Sequence, residues 1–504
     1  MLESTKSWAL LLLFAPLAAQ AGPASRCDRA LRALGESIAD AVCFESPDLT
    51  TNNGTASPTG PTTPANNSLP GLPPFAFTPQ TDRATIAPAA GSRTPITKAV
   101  PGVQIEARIA EDTTGEGRFL LRVPDAWNGR LVVAGASGTR SEFNGDFAWS
   151  DYVVQQGYAY ASQNKGILNL RFSTPADPLA CRLNPASPFW VHFYDNDPLS
   201  PFTRWAPFIA KAAVLARRGL VGLQGGEPRF TYAVGTSNGG YQVRRAVESY
   251  PHLFDGGVDW EGTFVSPAAP NILTDLPPAI LNFPEYAASG FDPNSTAAKN
   301  IRATGYPPDM VVGSTSLWGA YSAAFWEVTQ CQWQKRLDPT YDTYGAGTGT
   351  YNYVARLSAS DVGAQLAAFA TTGRIKRPLI TVAGTMDALL PIDHHARAYA
   401  RAVAAAQADD DQGEEARGKG EDRKPAYRLY EVQNGNHIET NKAIFPDLEL
   451  IEPHAQRAFD LLVKQVEDGE ALPPSQCIPR DGKIAANPTQ PGHCANLRFP
   501  IPIP

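Results

Sequence analysis

The short apolar run Phe230 to Val234 ends directly in Gly235-Thr236-Ser237-Asn238-Gly239, with Gly240 next. A buried strand followed at once by G-x-S-x-G implies a sharp strand-to-helix turn. The serine there sits in strained backbone with its hydroxyl pushed outward, and small flanking residues let strand and helix pass close to each other. Residues 241–250 continue at helical spacing, and Pro251 ends the run. The pattern by itself is common. Its context makes Ser237 a candidate nucleophile.

A turn of this kind needs a sheet behind it. Val103 to Ile109 alternates apolar and polar, and Arg118 to Val123 follows, which predicts a β-hairpin. Buried strands are expected at Arg130–Ala134, Tyr158–Ser162, Gly256–Trp260, Pro378–Ala383 and Tyr427–Val432, with helices at 205–217 and Glu452–Glu467. Short apolar strands alternating with helices predict an α/β chain with a mainly parallel central sheet covered on both faces. Residues 263–353 break the alternation. Prolines are frequent and aromatics cluster there: Phe283, Tyr286, Phe291, Tyr306, Trp318, Tyr321, Phe325, Trp326 and Trp333. That stretch is too long for a plain loop and is expected to be an inserted lid, splitting the core into 96–262 and 354–504. The aromatics suit either a bulky ester substrate or a small core of the lid's own. The mixed-charge run Asp409–Lys424 is expected to be a solvated loop.

Serine needs a base, and the base needs a group to orient it. Among seven histidines, His437 follows a core strand directly, in Gly435-Asn436-His437, whereas His454 and His493 are expected at the surface. Asp387 follows the strand ending at Ala383, in Gly384-Thr385-Met386-Asp387. Asp393 is a rival better suited to a helix cap, and Asp259 with Glu261 forms a second, lower-ranked rival pair. The order Ser237, Asp387, His437 is that of α/β-hydrolases. Two oxyanion donors are also required: the N–H of Asn238, and that of Ala136 or Ser137 in the glycine loop after the strand at Arg130–Ala134.

Lys6, the apolar run Trp8–Ala18 and Ala19-Gln20-Ala21 have the form of a signal peptide over residues 1–21, predicting a secreted or periplasmic protein. Residues 22–95 are expected to form an arm: an amphipathic helix over 22–45, then a Thr/Pro/Asn-rich linker over 46–74. All six cysteines lie after the cleavage point, so disulfides are expected. Fifteen connectivities are possible. Short loops favour Cys27–Cys43 and Cys477–Cys494, leaving Cys181 with Cys331. No C-x-x-C spacing suggests zinc or thiol redox chemistry. A net charge of −7 argues against a nucleic-acid partner, no run reaches membrane-spanning length, and neither a cofactor nor a catalytic metal is implied.

Arg122-Val-Pro-Asp-Ala-Trp-Asn-Gly129, Gly235-Thr-Ser-Asn-Gly-Gly240 and Tyr250-Pro-His-Leu-Phe-Asp-Gly256 resemble segments of the secreted tannase and feruloyl esterase family. The S-N-G-G form is also similar to 3-hydroxybutyrate oligomer hydrolases. The resemblance implies an α/β-hydrolase fold with an inserted lid and hydrolysis of small-molecule or oligomeric esters through an acyl-enzyme, with bulky or aromatic esters as the first expectation. A polyester oligomer hydrolase, a serine peptidase and a non-catalytic binding protein remain as alternatives. Tannase and feruloyl esterase members carry a disulfide between cysteines beside the serine and the histidine. Thr236 and Ile438 stand at those positions here. The family's frequent lid calcium has oxygen-bearing counterparts in Asp195, Asn196 and Asp197, without EF-hand spacing.

Overall fold

A computed structural model describes residues 24–52, 94–138, 140–194, 202–341, 347–417 and 425–499. The proposed signal peptide, most of the linker and Asp195–Asp197 lie outside the described residues. No helix among the described residues is long and apolar enough to cross a membrane.

The strands are β1 Ile38–Ser46, β2 Gly102–Ile109, β3 Arg118–Pro124, β4 Arg130–Gly135, β5 Ala159–Gln163, β6 Leu168–Ser173, β7 Cys181–Arg182, β8 Trp190–Tyr194, β9 Phe230–Thr236, β10 Gly256–Trp260, β11 Val311–Val312, β12 Thr315–Ser316, β13 Leu379–Gly384, β14 Tyr427–Val432 and β15 Gln476–Ile478. Ten of them form one sheet in the order β1-β2-β3-β5-β4-β9-β10-β13-β14-β15. From β5 to β15 every neighbouring pair is parallel, and β1 to β3 add an antiparallel edge. β9, β10 and β13 sit mid-sheet and bury nearly every residue, which is why they read as unbroken apolar runs rather than alternating ones.

Helices cover both faces. Trp205–Gln224 and Asn238–Ser249 pack on one face with Phe208, Ile209, Val243 and Val247. Glu452–Asp468 packs on the other through Ala455, Phe459 and Leu462. The chain therefore has an α/β-hydrolase fold.

Three expectations are corrected. The helix expected over 22–45 is Arg26–Leu34 only. Gly35 turns the chain at φ +53°, and Ile38–Ser46 pairs as an edge strand with β2. Val42 and Ile38, which suit a helix stripe, equally suit a strand, and the neighbouring edge decides. The solvated loop expected from Asp409 is a helix as far as Arg417, the end of Ala396–Arg417, because an alanine-rich run carries helix propensity into the charges. The helix expected over 205–217 extends to Gln224. Residues 168–194, for which the sequence predicts no element, form the three-stranded sheet β6-β8-β7.

The three disulfides are Cys27–Cys43, Cys181–Cys331 and Cys477–Cys494. Cys181–Cys331 joins the small sheet to the helix Trp326–Leu337, so two segments far apart in sequence share one cap over the core. The cap's aromatics settle mostly inward. Tyr286, Tyr306, Trp318, Tyr321, Trp326 and Trp333 are all buried in one cluster with Met386, Ala388 and Leu390 of the core. Trp326 also donates its indole N–H to Ala388 O at 2.7 Å. They are buried in an apolar cluster shared between cap and core, which removes the argument that they are displayed for an aromatic substrate.

Candidate active site

Ser237 follows β9 and precedes the helix Asn238–Ser249, with φ +58° and ψ −123°, a strained conformation for a residue with a side chain. Glycines make the turn possible. A Cβ at Gly135 would meet Gly239 O at 2.5 Å, one at Gly235 would meet Gly239 C at 2.5 Å, and one at Gly239 would meet Gly135 O at 2.6 Å. Three backbones thus touch where no side chain fits, and the helix N-terminus sits directly against β4 and β9. The turn is fixed from the other side too. Ser237 N–H donates to Trp260 O at 2.9 Å, and Thr263 N–H donates to Ser237 O at 3.3 Å.

Asp387 and His437 come from the loops after β13 and β14, adjacent strands of the sheet. His437 Nδ1 and Asp387 Oδ2 are 2.8 Å apart. Asp387 Oδ1 accepts from the N–H groups of Leu389 and Leu390 at 2.7 and 2.8 Å, which fixes the carboxylate plane. The two loops are stitched together: Met386 N–H donates to Gly435 O at 2.8 Å, and Asn436 Nδ2 donates to Met386 O at 2.6 Å. From the cap, Tyr321 donates its hydroxyl to Asn436 Oδ1 at 2.9 Å, and Ile438 N–H donates to the Tyr321 oxygen at 3.2 Å. Ser237, Asp387 and His437 all lie at the carboxyl ends of parallel strands, where ligand clefts of open α/β sheets form.

A second acid reaches the same imidazole. Glu261 directly follows β10, which lies between β9 and β13 in the sheet, and its Oε2 lies 3.6 Å from His437 Nδ1. Burial, and then the Asp387 charge, push its carboxyl up to about 8. Burial pulls the His437 imidazole down, but the Asp387 carboxylate and Glu261 outweigh it and raise the group to about 9. Glu261, Asp387 and His437 each offer an atom within 4.8 Å of the others, close enough to chelate a small cation. Nδ1 faces Asp387 at hydrogen-bond distance, so the set reads as an acid–base arrangement rather than a ligand set.

The remaining expected site residues separate. Asn238 opens its helix, so its N–H has no intrahelical acceptor. Ala136 N–H is held by Gln242 Oε1 at 3.0 Å inside a buried network that includes Gln163. Ser137 N–H and its hydroxyl both point to Asn144 Oδ1, at 3.0 and 2.8 Å. Both expected partner amides are therefore engaged, and Ser137, which is half-buried, is the freer to exchange. Below this loop the buried Lys165 ammonium donates to the carbonyls of Ala136 and Ser137 at 2.6 and 3.0 Å. Nothing in the chain order singles Lys165 out.

The rivals resolve as well. Asp259 is wholly buried and ion-paired to Arg244 at 2.6 Å, and it also accepts from Thr381 and Gly262. Asp393 is half-exposed and pairs with Arg397 at 3.0 Å. His454 is buried rather than at the surface, and burial alone lowers it to about 4. His493 is exposed and faces Glu431 at 2.6 Å.

Comparison with known proteins names the two groups that the nucleophile segment resembles. A family model of 3HB-oligomer hydrolases matches residues 335–498, the part that carries Asp387 and His437. The chain is 31% identical over 134 residues to a D-(-)-3-hydroxybutyrate oligomer hydrolase of Burkholderia thailandensis, covering 25% of this chain and 17% of that protein. It is 34% identical over 121 residues to the protein of that name from Burkholderia ambifaria, covering 22% and 15%. The matched stretch therefore spans under a fifth of either relative. Among solved structures, feruloyl esterase B from Aspergillus oryzae aligns at 14% identity and TM-score 0.46 over 86% of this chain and 88% of that one. Tannin acyl hydrolase from Aspergillus niger aligns at 14% and 0.42 over 77% and 82%.

Proposed function

We propose that the chain is an exported serine carboxylic-ester hydrolase working through an acyl-enzyme, with Ser237 as nucleophile, His437 as base and Asp387 as the group that orients it. The observation that carries the reading is Ser237 in left-handed backbone at the head of a helix, on the same sheet edge as an imidazole held 2.8 Å from a carboxylate. Each part has a chemical task. His437 Nε2 takes the hydroxyl proton as Ser237 Oγ attacks the acyl carbon. Asp387, in contact with Nδ1, fixes the tautomer and stabilises the imidazolium. The oxyanion is received by the N–H of Asn238 and by that of Ser137, once Ser137 exchanges Asn144 for the substrate. The imidazolium then gives its proton to the leaving alcohol, and water, activated by the same imidazole, releases the acid.

Two observations favour oligomeric hydroxyacid esters, of the 3-hydroxybutyrate kind, over aromatic ones. The sequence matches fall on oligomer hydrolases, and the cap aromatics are buried in the cluster between cap and core. The test is turnover of hydroxybutyrate oligomers, feruloyl, galloyl and p-nitrophenyl esters by the wild type and Ser237→Ala. Hydroxybutyrate oligomers are expected to be the best substrates, with loss of activity by about three orders of magnitude or more in the variant. Feruloyl or galloyl esters turning over fastest would return the assignment to aromatic esters, and an unaffected Ser237→Ala would end it.

A further inference from the structure

The two acids at the end of β10 have opposite surroundings. Asp259 has a guanidinium, a hydroxyl and an amide to satisfy it. Glu261, equally buried, accepts one hydrogen bond, from Gly384 N–H to its Oε1 at 3.0 Å. Its Oε2 has no hydrogen-bond partner and stands 3.6 Å from His437 Nδ1. A buried carboxyl oxygen left this way is unfavourable, and the local backbone is arranged to keep it there. Glu261 adopts φ +50°, unusual for a residue with a side chain, and its N–H is pinned to Val382 O at 2.9 Å. The carboxyl occupies space that exists because position 384 lacks a side chain: a Cβ there would lie 2.8 Å from Glu261 Oε1 and 2.4 Å from Gly435 C.

We propose that Glu261 is a positioning residue of the His437 site, a second acid that shares the Nδ1 proton with Asp387. The inference rests on the acyl-enzyme reading above. One N–H cannot make two full hydrogen bonds, and Asp387 takes the shorter. Glu261 acts mainly through its charge and its own proton, and the three groups titrate as a unit. When Glu261 is ionised it stabilises the imidazolium, and when it is protonated His437 answers to Asp387 alone. The other titratable groups around the cluster are Glu439, which faces Glu261; His395 and Tyr306, which face Asp387; and Tyr321 from the cap, which faces both acids. None of the four is within hydrogen-bond distance of His437.

The readout is the pH dependence of kcat/KM on a p-nitrophenyl ester, whose acid limb reports the free base. Glu261→Gln keeps shape and removes the charge, so the limb is expected to move down by about one unit or more, raising activity relative to wild type as the pH falls. Glu261→Asp, which keeps the charge, is expected to leave the limb near that of the wild type. In the wild type, the downfield imidazole N–H resonance is expected to titrate in two steps, a measurement that needs no variant to fold. An unmoved limb in Glu261→Gln, or a single-step resonance, overturns the proposal, even if the variant melts lower. Fluorophosphonate labelling separates this from failure of the underlying reading. If Ser237 is labelled and the limb does not move, Glu261 alone is misassigned. If Ser237 is not labelled and Ser237→Ala stays active, the acyl-enzyme reading falls and the proposal with it.

Discussion

Two histidine–carboxylate couples face each other across short distances in this protein, and their surroundings differ. His437 meets Asp387 at 2.8 Å between two loops of the core. His394 meets Asp275 at the same 2.8 Å, but Asp275 belongs to the cap helix Ile272–Ala288, and His395 approaches its other oxygen at 3.5 Å. Distance does not separate the couples, and neither does burial of the acid, since Asp275 and Asp387 are both buried. What separates them is the neighbour. Beside His437 is a second acid, and Ser237 lies at the same edge of the sheet. Beside His394 are Gly305, against which its ring is packed, and the cap. In the proposed mechanism the first couple moves a proton, whereas the second ties the helix Ile272–Ala288 to the segment after β13.

Asp387→Asn breaks the comparison most severely. It is expected to lower kcat by roughly ten-thousandfold while leaving the fold intact, because the amide supports the wrong tautomer. Steady-state kinetics with thermal melting would show activity lost without a matching loss of stability. The isosteric change at the other couple, Asp275→Asn, is expected to reverse the pattern. It should cost about 1–3 kcal/mol of stability by leaving buried groups poorly paired, and it should change kcat by less than a few-fold. Denaturant melts and the same kinetic assay read both. If Asp275→Asn instead lost activity and kept its stability, the division of labour would be wrong.

The smallest effect concerns pH. Burial lowers the His394 imidazole, but Asp275 outweighs that and raises it above its ordinary 6.5. A histidine raised in the folded state stabilises fully below its unfolded pKa, and that stabilisation fades as the pH climbs through the folded value. His394→Gln should therefore lower the melting temperature more at pH 6 than at pH 9. An equal loss at both pH values would mean the ring is held by packing on Gly305 rather than by charge.

How much of this is legible in the sequence depends on whether a feature is local. Ser237, Asp387 and His437 each follow a short apolar run and a glycine-containing turn, so their place at strand ends can be read from residues beside them. The disulfides are the pairs that short loops favour, although loop length does not by itself choose among the fifteen connectivities. Glu261 and His394 cannot be read that way. Glu261 and Asp259 are two residues apart on one strand end and look alike in sequence. Asp259 lies inside β10 and meets Arg244, whereas Glu261 lies just past the strand's end at φ +50° and meets His437, a difference the sequence does not display. Asp275 lies over a hundred residues from its histidines and in another layer. The cap aromatics mislead for a related reason, since composition records that they cluster and not which way they face. β1 was hidden because Ile38 and Val42 serve a helix stripe and an edge strand equally well.

The meeting of Gly135, Gly235 and Gly239 has one more consequence. With nothing but main chain between strand and helix, the height of the serine hydroxyl above the sheet is set by bare contact, much as a gauge block sets a tool. Even a single methyl group would act as a shim, lifting the helix end and swinging the oxygen off its line. An error of about 1 Å in such an alignment is enough to cost two orders of magnitude in rate. At this spot the protein's calibration is kept by the atoms it leaves out.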